Sequence, residues 1–332
     1  MNPILVMLAV GLNLASPLVS VRGEDGVPSG LTTRFSDRRL HLERDDVVAF
    51  VGGTDVAAAL HGGHLESLLA ARYRGFNIRF RNFGWEGDTV FAQPRDIGFP
   101  PLAMHLERVG ASVVLLQFGR AEALEGVAVL PRFTPAYEKL IDDCARRTRR
   151  IVLVTPPPLE SPGGFLPNLA ARNADLAVIT EAIRELARKK GLPLVDLFKV
   201  LGGEGHVEPR LTDNGLQLTP RGHALVARAF MDQAGLGEFA RRAGEPSSAG
   251  AWSEAAFEQV RAAVIEKSAL WFHYWRPQNW AFLGGDRTTQ PSSRDHLDPK
   301  LRWFPVEMEK FVPLIQRAEA RVEVSAASIP LQ

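Results

Sequence analysis

Five short apolar runs recur along the chain between positions 46 and 200. They cover positions 47–51, 78–82, 113–118, 151–155 and 194–197. Runs of this length and composition are typical of parallel strands that are buried on both faces of a sheet. The pattern therefore predicts an α/β domain built on a parallel five-stranded sheet, with helices on both sides in three layers.

The stretches between these runs have the periodicity of helices. Leu176, Ile179, Ile183 and Leu186 follow one another at steps of three or four residues, and Gly191 marks the end of that helix. A second helical stretch covers 135–147, and a third follows Thr219. The alternation predicts a doubly wound sheet, whose ligand site lies at the carboxyl ends of the strands.

The two ends of the chain differ from this central part. An apolar run over positions 4–19 gives way to charge and glycine, which predicts a signal peptide over 1–23 and export to the periplasm or outside the cell. The segment before that run has no Lys or Arg, so an uncleaved anchor is the alternative. The sequence predicts no stable membrane span elsewhere.

The C-terminal part is rich in tryptophan. Positions 238–251 are small and polar enough for a linker. Positions 252–325 predict a helical extension that packs on the domain or contacts a protein partner, with an aromatic platform for sugar rings as the alternative. Five of the six tryptophans lie there: Trp252, Trp271, Trp275, Trp280 and Trp303.

Charge and cysteine content exclude several classes of function. The 39 basic and 38 acidic residues give a net charge of +1, so the chain has no large positive charge that would attract nucleic acid. The single cysteine, Cys144, can form neither an internal disulfide nor a thiolate metal site. No metal, nucleotide or flavin motif is present, so we expect no metal and no cofactor.

Four segments place candidate chemistry next to the predicted strands. Segment 51–55 is a glycine turn that delivers the Thr54 hydroxyl, which is a nucleophile position or a helix cap. Segment 81–89 follows the second strand, segment 117–122 ends the third, and segment 211–220 precedes the last helix. These three segments contribute Asn82, Gly84, Arg120, Ala121, Glu122, Asp213, Asn214 and Gln217.

In order and context, the four segments resemble the blocks of the SGNH (GDSL-type) ester hydrolases, over an SGNH hydrolase-type domain at 40–237. The resemblance implies a flavodoxin-like sandwich and a small ester or acylated carbohydrate as ligand. It places the nucleophile at Thr54, an oxyanion N–H at Gly84, a second oxyanion donor at Ala121, and the acid and base at Asn214 and Gln217. Asn82, Arg120, Glu122 and Asp213 are the expected binding residues around them.

Three of these positions depart from the chemistry that the family needs. Threonine replaces serine at position 54, the methyl of Ala121 cannot donate a hydrogen bond, and Gln217 has no titratable nitrogen. Asn214 stands where the acid belongs, with Asp213 one residue earlier. The substitutions predict a catalytically silent protein, a pseudoenzyme, that binds a glycan or an anionic ligand.

Two alternatives remain open at this point. One is an active ester hydrolase in which Thr54 uses an unconventional base, with candidates at Asp55, His61, His64, His206 and His223. Arg120 would then compensate for the missing oxyanion donor if its guanidinium turned into the cleft. The other is a structural role in an exported complex, with the tail tryptophans on a partner chain.

Overall fold

The structure, a computed structural model, describes residues 40–205 and 209–330. The predicted signal peptide and His206 therefore lie outside the described residues. Within them is a five-stranded sheet in the order β2-β1-β3-β4-β5, with every neighbouring pair parallel. The strands are β1 (Val47–Gly52), β2 (Arg79–Asn82), β3 (Val113–Gln117), β4 (Ile151–Val154) and β5 (Leu194–Val195).

Helices follow the strands and cover the sheet. They are α1 (Thr54–Gly62), α2 (His64–Arg72), α3 (Leu102–Val109), α4 (Arg120–Ala123), α5 (Leu130–Ala145), α6 (Asn173–Lys190), α7 (Leu197–Val200), α8 (Pro220–Gln233), α9 (Gly237–Arg241), α10 (Ala255–Trp275), α11 (Trp280–Leu283), α12 (Trp303–Glu309) and α13 (Phe311–Ala327). The predicted doubly wound α/β fold is confirmed.

Alternate strand residues enter two separate cores. Val48 and Leu115 pack on one face, against α2, α8 and α10, and Ala49 and Leu116 pack on the other, against α3, α5 and α6. Since both faces are buried, the strands need apolar residues at every position, which is why they appear as unbroken apolar runs in the sequence. Gly191 ends α6 with φ 65°, as its position predicted.

Three boundaries differ from the sequence-based prediction. The last strand is only two residues long, because Leu197 already begins α7 after the Asp196 cap. Helix α5 begins at Leu130 and continues through Pro135, upstream of the expected start. The strand over 78–82 begins one residue later, at Arg79.

The segment predicted as a linker, 238–251, is packed instead. It contains most of α9, and Phe239, Ala240 and Ala243 are buried in the same core as the sheet. Pro246 pairs with Trp252 as an isolated antiparallel bridge. Its small residues therefore permit close packing rather than flexibility.

The C-terminal helices are fastened to the sheet by polar contacts as well as apolar ones. The Lys267 ammonium on α10 forms a buried ion pair of 2.6 Å with Glu66 on α2. Trp271 Nε1 donates to the Asn82 carbonyl at the end of β2, over 2.9 Å. Burial raises the pKa of Glu66, with Lys267 opposing the effect. The extension therefore shares the interior of the domain.

Candidate functional site

A cleft of about 270 Å³ lies at the carboxyl ends of β1 and β3. Segments from all four candidate blocks form its walls. They include Gly53, Thr54, Asp55, Asp88, Arg120, Ala121, Glu122, Asp213, Gln217 and His223. The position is the one that doubly wound sheets use for their ligands.

Thr54 is the first residue of α1 and is exposed in this cleft. Gly53, rather than Thr54, caps the helix, and within the described residues this cap makes no side-chain hydrogen bond. A Cβ on Gly52 would lie 2.5 Å from the Gln117 carbonyl oxygen, and one on Gly53 would lie 2.6 Å from that of Asp88. The two glycines let neighbouring backbones approach, so the strand turns sharply and presents the hydroxyl.

The backbone N–H beside Thr54 belongs to Gly87. It donates to Thr54 Oγ1 over 3.4 Å, and Gly87 has a φ of 80°. The Gly84 N–H, expected to bind an oxyanion, donates to Asn82 Oδ1 over 2.7 Å instead. That expectation is corrected, because a hydrogen bond within the protein already occupies the Gly84 donor.

Gly84 and Asn82 pack the end of β2 against the first turn of α1. A Cβ on Gly84 would lie 2.4 Å from the Ala57 nitrogen, so the glycine lets β2 approach the backbone of α1. The Asn82 amide donates to the Val56 carbonyl over 2.8 Å. Asn82 is buried, and both ends of its side chain are engaged by the protein, so a ligand does not reach it.

Arg120 is buried beneath the cleft rather than solvated at the surface. Its Nη1 pairs with Asp55 Oδ1 at 2.8 Å, and its Nη2 donates to the Pro158 carbonyl over 3.0 Å. Its Nε is buried without a hydrogen-bond partner among the described residues. The guanidinium is thus held by the protein, and its charge is balanced by the carboxylate next to Thr54. Ala121, which follows it, is exposed in the cleft.

Glu122 is a buried cap rather than a ligand-facing group. Its two oxygens accept from the N–H groups of Val90 and Gly119, each over 2.9 Å. Burial raises the pKa of Glu122, and these N–H donors oppose the effect. The side chain ties the loop after β2 to the turn after β3.

Asn214 and Gln217 are joined through their side chains. Asn214 Nδ2 donates to Gln217 Oε1 over 3.1 Å, and Asn214 Oδ1 accepts from the Gln217 backbone N–H over 2.7 Å. Asp213 is exposed, and its N–H donates to the Gln217 carbonyl over 3.1 Å. Glu160 anchors the loop by accepting from the N–H groups of Leu211 and Thr212, each over 2.8 Å. The loop therefore presents Gln217 to the cleft in a fixed arrangement.

Among the described residues, one histidine lines the cleft, and it lies on α8. His223 shares the wall with Thr54 and Gln217. Burial lowers the pKa of His223, while the nearby Asp55 carboxylate opposes the effect. The ring is neutral near pH 7 as a result. Within the described part of the chain, the hydrogen-bond partner found for Thr54 Oγ1 is Gly87 and not an imidazole.

The model of the GDSL-like lipase/acylhydrolase family matches residues 45–225, which is more than half of the chain. The chain belongs to the GDSL-like lipase/acylhydrolase family. No curated protein matches this chain. The resemblance to the SGNH superfamily is thereby confirmed.

Solved structures with similar folds include two acetylxylan esterases. One is a catalytic mutant of Axe2 from Geobacillus stearothermophilus, with 16% identity and a TM-score of 0.45 over 59% of this chain and 97% of that chain. The other is the acetyl xylan esterase AlAXEase, with 18% identity and a TM-score of 0.43 over 56% of this chain and 98% of that chain.

The C-terminal extension of this GDSL-family protein contacts the loop that carries Gly87. The Arg276 guanidinium lies 3.7 Å from the centre of the Trp85 ring and pairs with Glu86 at 2.6 Å. The Trp85 ring has two further contacts. The Arg95 guanidinium lies 4.2 Å from its centre, and the Trp275 ring packs edge-on against it with ring centres 5.6 Å apart. Trp252, Trp271 and Trp275 are buried. These three rings pack within the protein and form no platform for sugars.

Sequence reasoning missed Gly87 and the pairing of Arg120 with Asp55. Gly84 and Gly87 both lie in one short segment, and only the fold decides which N–H faces Thr54. Arg120 and Asp55 are 65 positions apart, and no local pattern joins them.

Across residues 40–205 and 209–330, no three His, Cys, Asp or Glu side chains converge as a metal ion would require. In the same ranges, no helix has the length and apolarity to cross a membrane.

Proposed function

We propose that this GDSL-family protein binds a neutral acylated carbohydrate or similar small ester in its cleft and does not hydrolyse it. The observation that carries the proposal is the hydrogen bond between Asn214 and Gln217. In this family's chemistry, a base on that loop takes the nucleophile's proton while an acid orients the base. The Asn214 and Gln217 amides are hydrogen-bonded to each other as an acid and a base would be, but neither amide can accept a proton near neutral pH.

The oxyanion side of the cleft supports the same conclusion. The Ala121 methyl offers no donor, and the loss of one such donor costs on the order of 3 kcal/mol of transition-state stabilisation. Arg120 does not replace it, because Asp55 and the Pro158 carbonyl hold its guanidinium. Among the described residues, the hydrogen bond to the Thr54 hydroxyl comes from the Gly87 N–H.

The charges of the cleft favour a neutral ligand over an anion. Among the described residues that line it, Arg120 is the one permanent cation, and it is paired with Asp55. Asp88 is held by two hydrogen bonds from Arg95, of 2.7 and 2.6 Å. Asp213 is exposed and adds a negative charge. A neutral ligand suits this lining better than an anion does. Its hydroxyl groups can donate to the carboxylates, and its carbonyl groups can accept from the Gln217 amide.

Binding is tested by calorimetric titration of the protein with acetylated xylo-oligosaccharides, together with the same sugars after deacetylation. We expect saturable binding that Gln217→Ala weakens about tenfold and Thr54→Ala changes less than twofold. Gln278→Ala, an exposed glutamine in the tail, is the matched control and should bind as the wild type does. Competition by inorganic phosphate would instead favour an anionic ligand, and release of acetate during the titration would contradict silent binding.

A second function is favoured by the position of His223. A neutral imidazole near Asp55 and in the same cleft as Thr54 has the properties of a displaced base. Slow ester hydrolysis would then depend on both Thr54 and His223. Rates lost in both Thr54→Ala and His223→Asn, with Gln217→Ala unaffected, would establish this hydrolase.

We also propose that the protein acts outside the cytoplasm, on the basis of the apolar run at positions 4–19. Expression of the full chain with N-terminal sequencing of the exported product tests this. Cleavage near position 23 is the expected result, and a full-length product retained in the cytoplasm would contradict it.

A further inference from the structure

A further cavity, of about 270 Å³, lies between α3 and α5. We call it the α3–α5 groove. These two helices cover the face of the sheet opposite α8, and among the described residues none lines both the groove and the cleft. The groove is therefore a space separate from the candidate site.

The floor of the groove is apolar. It contains Leu106 of α3 and Cys144 of α5, whose exposed fractions are 0% and 1%. Leu102 and Leu140 are half-buried and line its sides. Burial raises the pKa of the Cys144 thiol to about 12, so this side chain is uncharged at neutral pH. The interior suits an uncharged hydrocarbon chain, which gains free energy by leaving water there.

The mouth of the groove carries three charged side chains of α5. Lys139, Asp143 and Arg146 also line the groove, and their spacing of four and three residues places them on one face of the helix. The Asp143 carboxylate accepts from Lys139 Nζ and from Arg146 Nη2, each over 2.6 Å. One carboxylate thus brings two cations together, and the three groups keep a net positive charge.

The two cations retain donors for a further acceptor. An ammonium has three N–H donors and a guanidinium has five, and among the described residues Asp143 is the acceptor found for either group. The half-buried Gln93 side chain lines the groove from the loop before α3, and within the described ranges its amide makes no hydrogen bond. An anion can therefore join this mouth without breaking an existing ion pair.

We propose that the α3–α5 groove binds a medium-chain aliphatic carboxylate. Its head group accepts from Lys139, Arg146 and Gln93, and its chain packs on the floor formed by Leu106 and Cys144. An apolar cavity of about 150 Å³ holds benzene, so the groove suits a ligand of roughly ten heavy atoms, the size of octanoate. An amine of this length would add a positive charge to a mouth that is already positive. The assignment is independent of what the cleft binds.

The test uses Cys144 as a reporter, because it is the single cysteine of the chain and lies on the floor of the groove. Full-length protein with ¹³C-labelled cysteine is titrated with octanoate at neutral pH, and we expect a saturable shift of the Cys144 Cβ resonance. Octanamide has the same number of heavy atoms but no charge, and it should bind at least about fivefold more weakly. Since both titrations use the wild-type protein, the comparison does not depend on any variant folding.

A paired substitution tests the role of the cations. Lys139→Gln with Arg146→Gln should weaken octanoate binding about fivefold and leave octanamide binding unchanged, which a general loss of structure would not do. Lys310→Gln with Arg321→Gln removes the same charges from exposed ion pairs elsewhere on the surface and is the matched control. It should bind both ligands as the wild type does.

A filling variant locates the chain of the ligand. Ala103 lines the groove and is exposed, so Ala103→Phe should occupy the space and abolish the shift. Ala320→Phe makes the same change at an exposed position of α13 and should leave binding intact. An unchanged Cys144 signal with octanoate would overturn the proposal. Equal binding of octanamide, or full binding by a folded Ala103→Phe variant, would overturn it as well.

Discussion

Asn214 donates a side-chain hydrogen bond to Gln217 over 3.1 Å, within a loop that Glu160 fastens to the end of the sheet. The loop is therefore ordered by its own backbone contacts and does not depend on a charged acid–base pair. A carboxylate and an imidazole have about the size of these two amides. We propose that this loop keeps the scaffold of the family's proton-transfer pair without its titratable groups.

This arrangement predicts that hydrolysis can be restored by substitution. The combined change Thr54→Ser, Ala121→Asn, Asn214→Asp and Gln217→His supplies nucleophile, oxyanion donor, acid and base at their expected places. We expect acetyl ester hydrolysis at least about a hundredfold above the wild-type rate, since a positioned general base alone contributes that much. Initial rates with p-nitrophenyl acetate measure it. The control carries Thr54→Ala with the other three changes, and a folded quadruple variant with no gain would refute this prediction.

The two glycines of segment 81–89 have separable roles, which substitution by alanine should reveal. Gly84→Ala places a methyl within 2.8 Å of three backbone atoms of α1, so we expect a loss of about 3 kcal/mol or more in the free energy of unfolding. Gly87→Ala meets nothing within 4 Å and carries only the strain of its positive φ, about 1 kcal/mol. Denaturant titration measures both. Gly75→Ala, also at positive φ in open space, is the matched control for Gly87→Ala, and equal losses at Gly84 and Gly87 would contradict the assignment.

The sheet and its main helices could be predicted because their apolar residues repeat at the periods of buried strands and amphipathic helices. The site was only partly predictable. Thr54 and Gln217 reach the cleft because they follow or precede regular elements, which the sequence displays. The pairing of Arg120 with Asp55 depends on how two strand ends meet, and the choice of Gly87 over Gly84 depends on which N–H the folded chain turns toward Thr54. The packing of Phe239 was obscured by its small, polar neighbours, whose composition is typical of a linker.

The ion pair beneath the cleft should matter more to stability than pairs at the surface. Asp55→Asn leaves the buried Arg120 guanidinium without a counter-charge, and we expect a loss of about 3 kcal/mol in the free energy of unfolding. Lys310→Ala removes an exposed pair with Glu307 and should change the value by less than about 1 kcal/mol. Chemical denaturation of the two variants compares them. A loss of the same small size in both would show that Arg120 finds water or another partner.

Buried histidines should weaken the fold in mild acid. Burial lowers the pKa of both His64 and His105 to about 4, whereas an unfolded histidine titrates near 6.5. Between these values the unfolded chain binds more protons, so this stability is fully present above pH 6.5 and is lost as the pH falls toward 4. The loss is on the order of 2–3 kcal/mol for each residue.

His105→Phe isolates one of these contributions. His105 packs among Phe83, Phe99 and Trp275, where a phenyl ring should fit. We expect the decrease in unfolding free energy between pH 7 and pH 4.5 to be smaller in the variant by on the order of 2 kcal/mol. The carboxyl groups of Glu66, Asp88 and Glu122 have raised pKa values and act in the opposite direction, but they are common to both proteins. Parallel pH profiles for the variant and the wild type would contradict this assignment.

We propose that the cleft retains the family's geometry without its proton-transfer chemistry. Its most direct measurement is the hydrolysis of a panel of acetyl and short-chain acyl esters by the wild-type protein and by Thr54→Ala, under conditions in which binding is established. If the protein binds its ligand without hydrolysing it, both proteins should give rates equal to the uncatalysed background. Turnover by the wild type that Thr54→Ala abolishes would contradict it.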